Sequence, residues 1–248
     1  MGACALLVTQ STVVGEAPAP DANAAPEPEK KPAWEGLVAF GLTITSGNSD
    51  TLLANASARA NKKWPKDELR LSLDATYGEN DGDKSVEQVK ASSQYNRTFG
   101  TEDRWYVYGR VEALHDAIAD IDGRFTLGPG MGYYFVKNKK TSLSGEAGPG
   151  AVIEKVDDKD WETYYTLRIA DRFEYKINDR AKIWQTAEFM PDVSDFENYI
   201  VNVEIGIESG VTKSWALRVV FQDTYDNEPS PGSKSNDLKL IAGMAYKF

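Results

Sequence analysis

The chain has 248 residues, 41% of them hydrophobic, and sets 28 Lys and Arg against 38 Asp and Glu for a net charge of -10. No run approaches the ~20 consecutive apolar residues of a membrane helix, which excludes a helical membrane protein but not a barrel, whose strands spend only alternate residues on lipid. The acid excess leaves no basic stripe to neutralise phosphates, so nucleic acid is excluded as a partner, and the single cysteine, Cys4, excludes an intrachain disulfide framework.

In chain order, residues 1–19 are expected to be a signal peptide that lacks its basic start. A small-residue run over 3–14 leads to Glu16-Ala-Pro-Ala19, which resembles a signal-peptidase site. The alternative is a disordered tail. Cys4 follows Met-Gly-Ala and faintly resembles a lipoprotein box, but no charged region and no long apolar run precede it. Residues 20–33 are rich in Ala, Pro, Glu and Lys and are expected to form a disordered periplasmic leader, because such composition cannot offset its ordering entropy.

From Trp34 onward, twelve segments carry period-two patterning with turn residues between them: 34–45, 51–63, 67–78, 84–99, 104–117, 122–136, 140–154, 161–177, 180–191, 196–209, 213–226 and 236–248. They are long for globular strands and suit tilted membrane spans. In the third, Leu69, Leu71, Leu73, Ala75 and Tyr77 oppose Arg70, Ser72, Asp74 and Thr76. In the last, Leu238, Leu240, Ala242, Met244, Tyr246 and Phe248 share one parity, and the chain ends on an aromatic. That terminal pattern belongs to bacterial outer-membrane barrels, with Tyr246 and Phe248 as candidate assembly signal. The predicted fold is a single all-β antiparallel transmembrane barrel of about 12 strands, closed between the first and last.

An even strand count puts both termini at one end, and the connections then divide into two sets. Those on the far side, such as 79–85, 155–160 and 227–235, are expected to be longer and carry most acids, whereas the terminal side carries Lys62, Lys63, Lys66, Lys137, Lys139, Lys140 and Lys213. Aromatics cluster at both sets of strand ends, Trp105, Phe135 and Trp215 on one side and Phe125, Trp161 and Tyr199 on the other, as interfacial girdles would.

The residues also resemble a family. Trp34-Glu-Gly36 with Thr43-Ile-Thr-Ser-Gly-Asn-Ser-Asp-Thr51, Asp122-Gly-Arg124 followed by Gly128-Pro-Gly-Met-Gly-Tyr133, and Asp223-Thr-Tyr-Asp-Asn-Glu-Pro229 are similar to domain-of-unknown-function family 481, whose members are often labelled salt-induced outer membrane proteins. The resemblance covers about residues 34–248. It implies an outer-membrane barrel of a Gram-negative-type envelope and brings no catalytic residues with it.

Parity directs a mixed set of charges inward. Arg70, Asp74, Arg110, Glu112, Arg168, Arg172, Glu204 and Arg218 are the candidate lumen-lining residues, joined by Lys90, Glu146 and Glu208. Two readings compete: a narrow, water-filled, weakly selective pore for small solutes or ions, and a structural or surface-interaction barrel whose lumen is filled by paired side chains. An outer-membrane enzyme is a third, poorer reading, because His115 lies on the lipid parity and no nucleophile elbow or phosphate loop is present. No enzyme activity, cofactor or metal is expected. The acidic runs 79–83 and 157–160 read as solvated loops, since neither has the spacing of a calcium loop. Expected partners are outer-membrane lipid, lipopolysaccharide and, during insertion, the barrel-assembly machinery.

Overall fold

A computed structural model describes residues 33–45, 51–157, 159–229 and 234–248. The expected signal peptide and nearly all of the leader lie outside the described residues, as does the first far-side connection, 46–50. Twelve strands follow one another: β1 Trp34–Thr45, β2 Thr51–Lys63, β3 Asp67–Asn80, β4 Asp83–Phe99, β5 Trp105–Asp116, β6 Ile121–Lys137, β7 Thr141–Val156, β8 Glu162–Lys176, β9 Ala181–Pro191, β10 Tyr199–Gly210, β11 Trp215–Asp226 and β12 Asn236–Lys247. Each pairs antiparallel with its sequence neighbour, and β1 pairs with β12 to close the barrel. Closure satisfies every edge, the condition for placing a sheet in hydrocarbon.

The closing seam is the shortest ladder, with partners from Leu37↔Lys247 to Gly41↔Gly243. Phe248 lengthens it by one rung: its amide donates to the Gly36 carbonyl at 3.1 Å and its carbonyl accepts from the Gly36 amide at 2.8 Å. Its ring lies against Gly36, where any Cβ would come within 2.2 Å of the ring edge. Gly243 is needed in the same seam because a Cβ there would stand 2.1 Å from the Phe40 carbonyl oxygen.

The two faces of the wall follow the alternation. Val107, Val111, Leu127, Ile169, Ile205, Leu217, Val219 and Leu240 are exposed on the outside, a continuous apolar surface that only lipid can cover without penalty. Aromatic pairs bound it at both ends. Trp105 and Tyr133 lie 4.8 Å apart at the terminal end, as do Trp215 and Tyr246 at 5.2 Å. Phe125 with Trp161, and Tyr199 with Phe189 and Tyr225, band the far end. Lys62 sits over both Trp34 and Trp64, an arrangement suited to a headgroup layer.

Two expectations need correction. The second far-side connection, expected to be a long acidic loop over 79–85, is instead a two-residue hairpin, Asp81-Gly82, with both residues at positive φ (53° and 87°). Asp-Gly is the preferred pair for that turn, and it lets β3 and β4 run past the apolar band as a tight ribbon. The tenth strand starts at Tyr199 instead of 196, because Asp195 turns the chain first: its side chain accepts from the Glu197 amide at 3.0 Å and its carbonyl from the Asn198 amide at 3.0 Å.

Candidate functional site

The inward faces of the strands enclose a cavity of about 1360 Å³. Its lining runs from the terminal-end turns, Trp64–Lys66, Lys137–Lys140 and Asn178–Arg180, down to Gln88, Asp237 and Lys239. All eight lumen residues predicted from parity border it: Arg70, Asp74, Arg110, Glu112, Arg168, Arg172, Glu204 and Arg218. The charge of this wall is opposite to that of the whole chain. Eighteen lining residues are Lys or Arg and fourteen are Asp or Glu, so most of the 28 cations, but a minority of the 38 acids, border the lumen.

The charges are organised in clusters. Arg168 is the centre of the first. Its Nη1 donates to Glu146 at 2.7 Å and to the Tyr108 hydroxyl at 3.0 Å, and its Nε donates to Glu188. Glu146 in turn accepts from Gln94 at 2.8 Å and from Tyr106 at 2.9 Å. Beside it, Glu112 takes Arg110 at 2.6 Å and Lys90 at 2.8 Å. Glycines on the neighbouring strands make room for these groups: a Cβ on Gly130 would meet the Tyr108 ring at 2.4 Å, and one on Gly132 the Tyr106 ring at 2.2 Å. Buried charge is tolerable here because Glu146 and Glu112 each have two or more donors and Glu188 has the Arg168 guanidinium.

A second cluster lines the opposite wall. Arg59 pairs with Asp74 at 2.7 Å. Glu204 accepts from the Trp184 indole at 2.7 Å and from Gln222 at 2.9 Å. Trp184 lies flat over Gly206, and the Arg218 guanidinium stacks on it at 4.9 Å. Arg218 also faces Glu208 at 3.4 Å, and Glu208 holds Lys247 at 2.5 Å. Arg110 and Arg168 therefore belong together, whereas Arg218 belongs to a separate group.

Deeper toward the far end, Lys239 of β12 crosses the lumen to donate to Gln88 of β4 at 2.9 Å and pairs with Asp237 at 3.0 Å. Arg124 and Glu154 pair at 2.5 Å nearer that mouth. His115 is exposed on the outer face, its Nδ1 2.9 Å from the Asp122 carbonyl, away from the lumen clusters. Tyr246 and Phe248 lie outside the cavity's charged groups, stacked at 6.3 Å at the end of the closing seam.

Several lumen groups were not among the candidates. Arg59 was detectable, since Asn55, Ser57, Arg59 and Asn61 alternate with Ala54, Ala56, Ala58 and Ala60. Glu188 and Trp184 were obscured because the outward parity of β9 includes Gln185, which donates to the equally outward Asp171 at 3.4 Å. Lys239 was detectable too, since it lies on the parity opposite Leu238, Leu240, Ala242 and Met244.

The sequence model of one family, described as a protein of unknown function, DUF481, matches residues 38–248. The chain belongs to this family. Among curated proteins none matches it. Among solved structures, this DUF481 chain is similar to a NanC porin, with a TM-score of 0.55 and 8% identity over 86% of this chain and 100% of that one. A KdgM porin in complex with disordered oligogalacturonate gives 0.49 at 7% identity over 87% and 99%. The translocator domain of the autotransporter NalP from Neisseria meningitidis gives 0.45 at 13% identity over 87% of each chain. The first likeness establishes a porin-type fold. The DUF481 protein is thus a closed twelve-stranded barrel of the bacterial outer membrane.

Proposed function

We propose that this barrel is a narrow, water-filled passage for small solutes or ions and performs no chemical reaction. The observation that carries the reading is the charged cavity inside the wall. Arg59 and Lys90 keep about a third of their side-chain surface accessible, 33% and 32%, and Arg172 is exposed within it. A lumen packed shut would leave these groups dry. By the usual placement of short turns, the terminal end faces the periplasm and the acidic far end faces the exterior. With both signs on the wall, overall selectivity between anions and cations is weak.

A second reading is favoured by one specific contact. Lys239 bridges to Gln88 across the lumen, and with the Arg168 and Glu112 clusters it narrows the route to the far mouth. On that reading the barrel is structural, and its acidic far end meets lipopolysaccharide or another surface partner. Insertion into a planar bilayer separates the two. Reproducible conductance steps are expected for the passage, and an inserted, folded barrel that stays silent would leave the structural role. Assembly through Tyr246 and Phe248 by the barrel-insertion machinery belongs to either reading.

A further inference from the structure

One lumen charge is left unexplained by the ion-pair clusters. Arg172 of β8 borders the cavity, is exposed there, and has no ion pair or hydrogen bond among the described residues. Arg70 of β3, across the lumen, borders the same cavity, and Glu174, Glu68 and Glu204 border it as well. Arg70 is already engaged by Glu68 at 2.5 Å and by the Tyr134 hydroxyl at 3.5 Å. Two guanidinium groups sharing one confined space repel, and an anion held between them offsets that repulsion.

The surroundings extend the same sign toward the terminal mouth. Lys140 and Arg180, on two adjacent turns, line the cavity and make no ion pair among the described residues. Arg172 lies several residues before the turn that carries Arg180, roughly 15 Å along the strand at about 3.3 Å per residue. A single monoanion cannot bridge that depth. Guanidinium forks match carboxylate and phosphate oxygens in pairs, whereas rim lysines act as point charges.

We propose that the terminal-end vestibule binds an extended anionic solute carrying two or more carboxylate or phosphate groups, seated on Arg172 and Arg70 and guided in by Lys140 and Arg180. This deepens the passage reading by naming the class of solute. It needs only entry from the terminal end, so it can succeed or fail apart from conductance.

The test is isothermal titration of citrate and of tripolyphosphate into the full, micelle-held barrel at low ionic strength, with raffinose as a neutral solute of comparable size. At least one anion is expected to bind and raffinose is not. Arg172→Gln is expected to weaken that binding about tenfold, the effect of one lost charge-assisted contact, and Arg172→Lys to weaken it less. Because Arg172 has no partner to orphan, both variants are expected to keep the heat-modifiable gel shift of a folded barrel. Absence of binding by both anions, equal affinity for raffinose, or unchanged affinity in a folded Arg172→Gln would overturn the proposal. A barrel that binds anions but never conducts retains this site and loses the passage; one that conducts without binding them does the reverse.

Discussion

At the residue scale, the lumen shows how a charge survives inside a membrane protein. Arg168 is 8% exposed, as is Glu146, and between them Arg168, Glu146, Glu188, Tyr108 and Gln94 leave few polar atoms without a partner. Removing the central cation takes the charged partner from two carboxylates at once, Glu146 and Glu188. Arg168→Met is therefore expected to destabilise the barrel by about 3–5 kcal/mol, the cost of breaking a buried pair from one side. A denaturant titration of folding into lipid vesicles measures it, and a loss under about 1 kcal/mol would mean that lumen water solvates Glu146 and Glu188 well without Arg168. Arg168 and Glu146 were both identifiable from parity alone. What parity does not give is partnership: nothing in the linear order says that Arg168 reaches Glu188 on β9 and Tyr108 on β5, because those contacts depend on how the strands tilt around the closed wall.

At the element scale, the alternation of each strand assigns its two faces to two solvents. That predicts opposite tolerance at positions one residue type apart. Val219 is exposed on the lipid face of β11, and Val219→Lys is expected to cost about 2–4 kcal/mol, as cations near the bilayer midplane do. Thr186 of β9 faces the lumen opposite Glu204, so Thr186→Lys is expected to stay within about 0.5 kcal/mol of the parent. The same vesicle titration compares the two, and equal costs would contradict the assigned faces. Strand existence was legible because long period-two runs are hard to mistake. Strand ends were less so where a turn is built from side-chain hydrogen bonds: Asp195 ends one connection by accepting from the Glu197 amide, and Asp81-Gly82 compresses another to two residues. Both are local backbone chemistry embedded in acidic stretches that resemble solvated loops.

At the scale of the whole molecule, charge is separated along the barrel axis. The far end carries Glu79, Asp81, Asp83, Asp120, Asp122, Asp157, Asp160, Asp192 and Asp195 with few cations, while the terminal end of the lumen carries Lys66, Lys137, Lys139, Lys140, Arg180 and Lys213. An acidic mouth admits cations preferentially and a basic mouth admits anions. When the far compartment is positive, cations enter through the acidic mouth and anions through the basic one, so both species fill the lumen. When the sign is reversed, each ion must enter through the mouth that repels it, and the lumen is depleted. A conducting barrel is therefore expected to pass more current with the far side positive. Screening sets the conditions, since fields reach about 10 Å at 0.1 M salt but only about 3 Å at 1 M. The asymmetry is expected in 0.1 M KCl and is expected to fade in 1 M KCl. Insertion with known orientation, followed by current–voltage curves at both concentrations, checks it. A straight curve at 0.1 M would show that the clustered pairs around Arg168 and Glu112, and not the mouths, control what the lumen admits.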